Sequence, residues 1–482
     1  MLLEESSRRI LILDGAMGTM LQNYGLEEDD FRGEAFAACS KELKGNNECL
    51  NLTHPEILLD IHRQYIAAGA DIISTNSFSA NRICQAAYGL EERACEMAYA
   101  SAAIARRAAD EALAEKGRKV WVAGDIGPTG KSLSLASDIS DPAYRQYDFD
   151  AMAKSYKEQV SALVKGGADL LLIETCFDAL NVKACLWAIA ELGLKLPVMV
   201  SVSVGDRSGR TLTGQTIEAF YRSVEHAGLF SFGLNCSLGA DELEPLVEDV
   251  ALFSKSRVSC HPNAGLPDAL GNYNDSPEHM AKALARMASA GLLNIAGGCC
   301  GTTPEHIKAI AAALEGIAPR VLPKADNILT VSGLEAVRID PENNFTNIGE
   351  RTNVAGSRKF ARLIAAHEYE TALQVAADQI AGGADIIDIN MDDAMLDSRE
   401  EMKRFLRHIS NDPAVARAAI MIDSSHFETI VEGLKNAQGK CIVNSISLKE
   451  GEEAMLEKAR TIRALGAAMV VMAFDEEGQA TD

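Results

Sequence analysis

One apolar run of this chain ends in Asn294-Ile295-Ala296-Gly297-Gly298-Cys299-Cys300-Gly301-Thr302-Thr303-Pro304. The pattern predicts a buried strand that stops at two adjacent cysteines, then a turn and a helix that opens at Glu305. Thr302 or Thr303 can cap that helix, and Pro304 suits its first turn. Glycines on both sides let the backbone bend so that both sulfurs face one point. Free cysteines are often small buried apolar side chains, but this pair beside glycines favours a soft-metal site.

A third thiol follows a similar run, Phe230-Ser231-Phe232-Gly233-Leu234-Asn235-Cys236-Ser237. If both runs are neighbouring strands of one barrel, the three sulfurs can meet at its carboxyl rim. Three thiolates suit zinc, and three protein ligands leave a fourth position open, as in catalytic zinc sites. Cys260-His261 is a rival ligand pair at the adjacent strand end. We rank it below Cys236 because Pro262 and Asn263 suit a turn.

Composition limits the class of protein. A chain of 482 residues is long enough for two or more domains, and its net charge of -23 argues against a nucleic-acid or anionic-membrane partner. The amino terminus lacks the pattern of a secretory signal, and no apolar run is long enough to span a bilayer. We therefore predict a cytoplasmic protein whose 11 cysteines are thiols or metal ligands.

Short apolar strands alternate with longer helical segments through the first part of the chain. Eight such strands, seven separated by helices and the last followed by one, predict an α/β fold of the (β/α)8 TIM-barrel type over residues 1–317. A doubly wound open sheet is the alternative. The absence of a Gly-x-Gly-x-x-Gly turn after the first strand, and the polar residues at many strand ends, favour the barrel.

Polar residues collect at the carboxyl ends of these strands, where such barrels place their chemistry. The residues are Asp14, Thr75, Asp125, Glu174, Asn235, Cys236, His261, Cys299 and Cys300. Two carboxylates and a threonine around a zinc site can hold the amine and carboxylate of an amino-acid thiol. Taken singly, Asp14 beside Gly15 can be a loop cap and Glu174 a helix-start residue. Their shared rim favours the functional interpretation.

Prolines mark a linker at residues 318–344, which can contain a short strand pair near Ile328–Val331 and Ala336–Ile339. A second strand-helix series follows at residues 345–482, and each of its five predicted strands ends in Glu, Asp or Asn. One such residue is best explained as a helix N-cap, but five in succession suit the polar edge of a heterocycle. Five strands cannot close an eight-stranded barrel, so we predict a second, incomplete TIM-type barrel in a fragment of a longer protein.

Two families resemble these motifs. A resemblance to homocysteine S-methyltransferase domains rests on Asp14-Gly15-Ala16-Met17-Gly18-Thr19, Asn235-Cys236 and Gly297–Pro304. A resemblance to pterin-binding methyltransferase domains rests on Asn347–Asn353, Asp388-Ile389-Asn390, Asp423-Ser424-Ser425 and Asn444-Ser445-Ile446-Ser447. In this order the two resemble the N-terminal half of the cobalamin-dependent methionine synthase family, over nearly the whole chain.

The resemblance implies a set of site residues and cofactors. Cys236, Cys299 and Cys300 would be the catalytic Zn²⁺ ligands, with Asp14, Gly15, Thr75, Glu174 and Asn235 around homocysteine. Asp388, Asn390, Asp423, Asn444 and Asp475 would face 5-methyltetrahydrofolate, the methyl donor, with Glu350 and Asn353 near that mouth. Asn444, or a water held by an aspartate, would assist N5 during transfer. Cobalamin would be bound by a module absent from this chain, since the chain has no Asp-x-His-x-x-Gly segment to supply a cobalt ligand.

The expected reaction is methyl transfer from 5-methyltetrahydrofolate, via cobalamin, to zinc-bound homocysteine, giving methionine. Zinc would deprotonate the thiol, whose ordinary pKa of about 8.5 leaves little thiolate at neutral pH. Two other functions remain open. The first barrel can take its methyl group from betaine or S-methylmethionine, or the chain can be a non-catalytic zinc-binding scaffold.

Overall fold

Eight parallel strands form the first sheet. The computed structural model describes residues 2–268, 271, 273–324, 328–476 and 478–479. The strands are β1 (Leu11–Ile12), β2 (Ile72–Ser74), β3 (Trp121–Ile126), β4 (Leu170–Cys176), β5 (Val198–Val202), β6 (Ser231–Gly239), β7 (Arg257–Asn263) and β8 (Ile295–Ala296). Neighbours in sequence are neighbours in the sheet, β1 pairs with β8, and a bridge between Leu13 and Ile72 joins β1 to β2. The predicted (β/α)8 barrel is confirmed.

Helices surround this barrel and one helix covers its amino-terminal end. They are α1 (Leu2–Arg8), α2 (Met17–Gln22), α3 (Glu28–Arg32), α4 (Leu50–Thr53), α5 (Pro55–Ala68), α6 (Arg82–Gln85), α7 (Ala94–Lys116), α8 (Phe149–Gly166), α9 (Ala179–Glu191), α10 (Ile217–Val224), α11 (Ala240–Phe253), α12 (Pro277–Ser289) and α13 (Pro304–Leu314). Leu2 of α1 packs with the apolar side chains that the strands direct into the barrel, among them Trp121 and Phe230. Because apolar side chains fill the interior of the barrel, the polar side chains lie at the carboxyl ends of its strands.

An antiparallel hairpin follows, formed by β9 (Leu329–Ser332) and β10 (Ala336–Ile339). It is the strand pair expected within the linker. The hairpin contacts both parts of the chain: the N–H of Thr216 donates to Leu334 O at 3.0 Å, and the N–H of Leu334 donates to Ala416 O at 2.8 Å. Val331 is buried among the apolar side chains of the second sheet, including Met421.

The second sheet has five parallel strands in sequence order, which confirms the second parallel α/β unit. They are β11 (Ile348–Asn353), β12 (Ile386–Asn390), β13 (Ala419–Asp423), β14 (Ile442–Ser447) and β15 (Ala468–Met472), followed by a small hairpin of β16 (Phe474–Asp475) and β17 (Gly478–Gln479). The helices are α14 (Arg358–Ala365), α15 (Tyr369–Ala381), α16 (Ser398–Ile409), α17 (Pro413–Ala416), α18 (Phe427–Leu434) and α19 (Glu452–Ala464).

Two general findings bear on the setting of the protein. All eleven cysteines lie in the described part of the chain, and none forms a disulfide bond. Within the described ranges, no helix combines the length and apolar character that a bilayer crossing requires.

A buried lysine of the first unit hydrogen-bonds to backbone carbonyls of the second unit. Lys183 of α9 is 1% exposed, and its ammonium donates to Gly439 O at 2.6 Å and Ala437 O at 3.1 Å, just before β14. Burial lowers the pKa of Lys183 to about 8. A buried cation with two carbonyl acceptors on the other unit satisfies polar atoms that would otherwise lack partners.

We expect Lys183→Met to lower the free energy of unfolding by about 2–4 kcal/mol, since it leaves two buried carbonyls without their donor. Calorimetry should show the two units beginning to unfold separately. Lys157→Met is the control, because the Lys157 side chain is 42% exposed and pairs with Glu191 at the surface. Equal loss in both variants would contradict a specific role for Lys183.

Candidate functional site

Three thiols meet at the carboxyl rim of the first barrel. The sulfurs of Cys236, Cys299 and Cys300 all lie within 4.8 Å of one another, and those of Cys236 and Cys300 are 3.7 Å apart. Tetrahedral zinc with Zn–S bonds of about 2.3 Å requires sulfurs about 3.8 Å apart. The cluster therefore fits a zinc ion. Cys260 is fully buried in the apolar core, and the rival pair Cys260-His261 contributes no ligand to this cluster among the described residues.

The backbone around the thiols is unusual. Cys236 and Ser237 have φ values of 59° and 58°, and Thr175 of β4 has φ 56°, the left-handed region that side chains other than glycine rarely adopt. Each such residue costs on the order of 1–3 kcal/mol and persists where the surrounding contacts enforce it. Three of them at one rim indicate that side-chain placement is held there at the expense of stability.

Glycine is required next to the cysteine pair. A Cβ at Gly298 would lie 2.5 Å from Thr302 Oγ1 and 2.6 Å from Thr302 Cγ2. Thr302 cannot move away easily, because it is fully buried and its hydroxyl donates to Cys299 O at 2.6 Å. The cap of α13 is Thr303, with Pro304 as the first helical residue. The turn from Gly298 to Thr303 thus fixes the direction in which the Cys299 and Cys300 side chains point.

We expect Gly298→Ala to destabilise the protein by about 1–3 kcal/mol, the usual effect of overpacking, and to weaken metal retention by displacing Cys299. Chemical denaturation and metal stoichiometry after dialysis measure the two effects. Gly205→Ala is the matched control, since its added Cβ would meet nothing closer than 3.5 Å. A Gly298→Ala protein with normal stability and metal content would disprove this account of the turn.

The thiols interact with one another. Hydrogen bonds from Cys236 and Cys299 lower the pKa of Cys300, while hydrogen bonding to Cys236 and Cys300 raises the pKa of Cys299. The hydrogen bonds among the three thiols therefore favour a thiolate within the cluster. Tyr273 adds a hydrogen bond that also lowers the Cys300 pKa.

Carboxyl groups lie at the same rim as the thiols. Asp14 accepts from the N–H and hydroxyl of Ser74 at 2.9 and 2.8 Å, and burial raises its pKa to about 7. Burial, and then the charge of Cys236, raises the pKa of Glu174 to about 8. Burial and the neighbouring acids also raise the pKa of Asp125, whose Oδ1 has no partner among the described residues. A cationic group would favour ionisation of all three.

These groups line one cavity of about 670 Å³. Asp14, Gly15, Thr75, Asp125, Glu174, Cys236, His261, Cys299 and Cys300 all face it. None of the described residues that line it is Lys or Arg. Burial lowers the pKa of His261 to about 4, so this histidine is neutral at pH 7. The cavity therefore suits a ligand with a positive charge and a metal-binding sulfur.

Some rim residues act on the protein itself. The Thr75 hydroxyl accepts from the N–H of Asp125 at 2.9 Å and lies 2.6 Å from Ser77 Oγ, so it is already engaged. A Cβ at Gly15 would lie 2.8 Å from Thr302 Oγ1, which explains a glycine there. Asn235 does not line the cavity directly and instead bonds to the residues that do.

Glu48 and Tyr273 are among the cavity residues that the sequence patterns missed. Glu48 is buried, accepts from the N–H of Ser79 at 2.7 Å, and comes from the polar region before Asn51 that showed no periodic pattern. Tyr273 lies in an irregular loop after β7.

A second polar mouth lies at the carboxyl ends of β12 to β14. Asp388 is 3% exposed, Asn444 donates a hydrogen bond to it, and its Oδ1 has no partner among the described residues. Burial, followed by the charge of Asp423, raises the Asp388 pKa to about 7. Asn390 donates to Asp423 Oδ2 at 2.9 Å. The structure therefore brings Asp388, Asn390, Asp423 and Asn444 together.

Three other predicted residues lie differently. β11 runs to Asn353, so Glu350 is in mid-strand and exposed, although its charge still raises the pKa of Asp388. Asn353 Oδ1 accepts from the N–H of Gly356 at 2.8 Å and stabilises a turn. The predicted strand ending at Asp475 was too long: β15 stops at Met472, and Asp475 is exposed in the hairpin beyond it, accepting from the N–H of Gly478.

Together these features define an α/β protein with a three-thiol centre in a closed barrel and an acid- and amide-lined mouth on a second parallel sheet. Residues 11–314 match the family described as homocysteine S-methyltransferase, and residues 349–482 match the one described as pterin binding enzyme. The first match covers more than half of the chain, which therefore belongs to the homocysteine S-methyltransferase family. The two domains in this order are the N-terminal architecture of methionine synthase.

Solved structures of other proteins are similar to parts of this chain. The oxidized form of the homocysteine methyltransferase MmuM from Escherichia coli is 25% identical with a TM-score of 0.48, covering 63% of this chain and 95% of that one. Its metallated form is 24% identical with a TM-score of 0.49, covering 64% and 98%. A 3-hexulose-6-phosphate synthase from Salmonella typhimurium is 14% identical with a TM-score of 0.29, covering 54% and 93%.

Proposed function

We propose that Cys236, Cys299 and Cys300 hold zinc and that homocysteine is methylated beside it to give methionine. The methyl group would come from 5-methyltetrahydrofolate at the second mouth, by way of cobalamin held by a module outside this chain. The observation that supports this most is the meeting of three thiols, at a spacing that suits zinc, with buried carboxyls in one cavity. Bound zinc supplies Lewis acidity, which deprotonates a coordinating thiol and keeps it available as a nucleophile at neutral pH.

The chain's own residues would bind and orient the substrates. Asp14 and Glu174 would hold the ammonium group of homocysteine, whose charge would ionise both carboxyls despite their raised pKa values. Thr75, whose hydroxyl is hydrogen-bonded to that of Ser77, would stabilise the rim of the cavity. At the second mouth, Asp388 Oδ1, which has no partner within the described ranges, would accept from the pterin ring, and Asn444 would offer its amide nearby.

The test is methionine formation from homocysteine and methylcobalamin, with and without prior zinc removal. Product that disappears with zinc and returns when zinc is restored supports the proposal. A folded, zinc-loaded protein that forms no product with methylcobalamin, nor with 5-methyltetrahydrofolate plus a cobalamin-binding module, would refute it.

A second candidate is transfer from a sulfonium or quaternary ammonium donor, such as S-methylmethionine or betaine. The absence of Lys and Arg from the described cavity lining favours it, since the carboxyl groups there would meet such a cation without a competing basic side chain. Methionine formed from either donor without any corrinoid would select this function. Zinc retention with no activity toward any donor would instead indicate a zinc-binding scaffold.

A further inference from the structure

Asn235 contacts both a thiol and a carboxyl group of the first site. Its carboxamide nitrogen lies 2.9 Å from Thr175 Oγ1, 3.4 Å from Glu174 Oε2 and 3.8 Å from Cys299 Sγ. A carboxamide nitrogen only donates, whereas these three atoms can accept. Asn235 is 1% exposed, so these contacts are made away from bulk water.

The opposite end of the same carboxamide faces donors. Asn235 Oδ1 accepts from the Ser201 hydroxyl at 2.7 Å and from the N–H of Thr175 at 3.1 Å. Turning the carboxamide over would set its NH₂ against the Thr175 N–H and its oxygen against the Glu174 carboxyl. The hydrogen-bond pattern therefore determines which end faces Cys299.

Ser201 is the side chain that holds this orientation. It lies in the middle of β5, is fully buried, and donates across to β6, so neither solvent nor substrate can replace its hydroxyl. The other donor, the N–H of Thr175, belongs to a residue in the left-handed region, whose hydroxyl also accepts from the Asn235 carboxamide.

We propose that Ser201 is a positioning residue for the thiol centre: through Asn235 it directs an N–H toward the Cys299 sulfur and the Glu174 carboxyl. The inference rests on the proposed function, because Cys299 is taken as a metal ligand. Residues that hydrogen-bond to metal ligands orient them and tune their basicity, and their loss commonly weakens metal binding by about 10–100-fold.

The first experiment needs no metal. In protein labelled with ¹⁵N-asparagine, the Asn235 side-chain signal is assigned by its absence from Asn235→Asp. We expect its NH₂ to exchange slowly in the wild type and at least ~10-fold faster in Ser201→Ala, the effect of losing one buried hydrogen bond. Ser201→Thr, which keeps the hydroxyl, should restore slow exchange. Unchanged exchange in Ser201→Ala overturns the proposal.

The second experiment reads the centre itself with Co²⁺ in place of zinc. Ser201→Ala should shift the thiolate-to-cobalt absorption and weaken Co²⁺ retention by about 10–100-fold, with recovery in Ser201→Thr. Ser231→Ala is the matched control, since Ser231 is a buried serine of β6 whose hydroxyl has no partner among the described residues. Identical spectra and retention in wild type and Ser201→Ala refute the role of Ser201 while leaving the proposed function intact. A wild type that retains no Co²⁺ refutes the proposed function, and the exchange data still decide the role of Ser201.

Discussion

Cys299→Ala abolishes zinc retention and lowers homocysteine methylation by more than about 100-fold. Loss of a residue that hydrogen-bonds to a metal ligand weakens metal binding by about 10–100-fold, and loss of the ligand itself must have at least that effect. The remaining sulfurs of Cys236 and Cys300 are 3.7 Å apart, but two thiols are one ligand short of the three that a catalytic zinc site has. Zinc per chain after dialysis against a chelator, and single-turnover methionine formation from methylcobalamin, measure the two losses.

The control for this variant is Cys95→Ala. Cys95 is an exposed thiol on α7, outside the cavity. It should retain one zinc per chain and full activity. Normal zinc content and normal turnover in Cys299→Ala would end the assignment of this centre.

Asp388→Asn weakens 5-methyltetrahydrofolate binding by about 10–100-fold, the effect of losing a hydrogen bond to a charged acceptor. The variant replaces one of the two carboxyl oxygens by an NH₂ donor, at a side chain whose Oδ1 has no partner among the described residues. Methyl transfer from methylcobalamin to homocysteine, which uses the first barrel alone, should be unchanged. Isothermal titration with the folate and the homocysteine half-reaction measure these separately, and loss of both activities would contradict separate sites.

The same variant has a pH signature. Burial raises the Asp388 pKa from 3.8 to about 7. Between those values the folded protein holds a proton that the unfolded chain has released, so the free energy of unfolding falls as the pH rises. Asp388→Asn should make stability less dependent on pH in this interval. Asp378→Asn, a change on the surface of α15, should leave the slope unchanged.

Local patterns predicted the elements and both rims because strand ends and helix starts have short-range signals. The turn from Gly297 to Pro304 is the clearest case, since glycines, thiols and capping threonine are adjacent in sequence. Residues whose role depends on contacts distant in sequence could not be predicted in this way. Glu48 reaches the cavity from an aperiodic region, and Ser201 resembles any small residue of a buried strand until β6 is placed beside it.

The bounds of the strands in the second unit were the least accurate part of the sequence-based prediction. The sequence pattern shifted β11 toward its amino end and merged β15 with the following hairpin. Apolar content alone cannot place the end of a strand whose residues, such as Val471, are exposed at a sheet edge. The position of Asp475 depended on that boundary.

The hairpin β9–β10 has a practical consequence for anyone who divides this protein into working halves. Ser332 Oγ donates to Ala219 O of the barrel at 3.1 Å, and its N–H donates to Lys440 O of the second unit at 3.1 Å. A cut before the hairpin strips a partner from α10, and a cut after it removes Val331 from the floor of the second sheet. Separately expressed halves should therefore each include this segment, and a shared copy on both is the design most apt to yield two well-folded pieces.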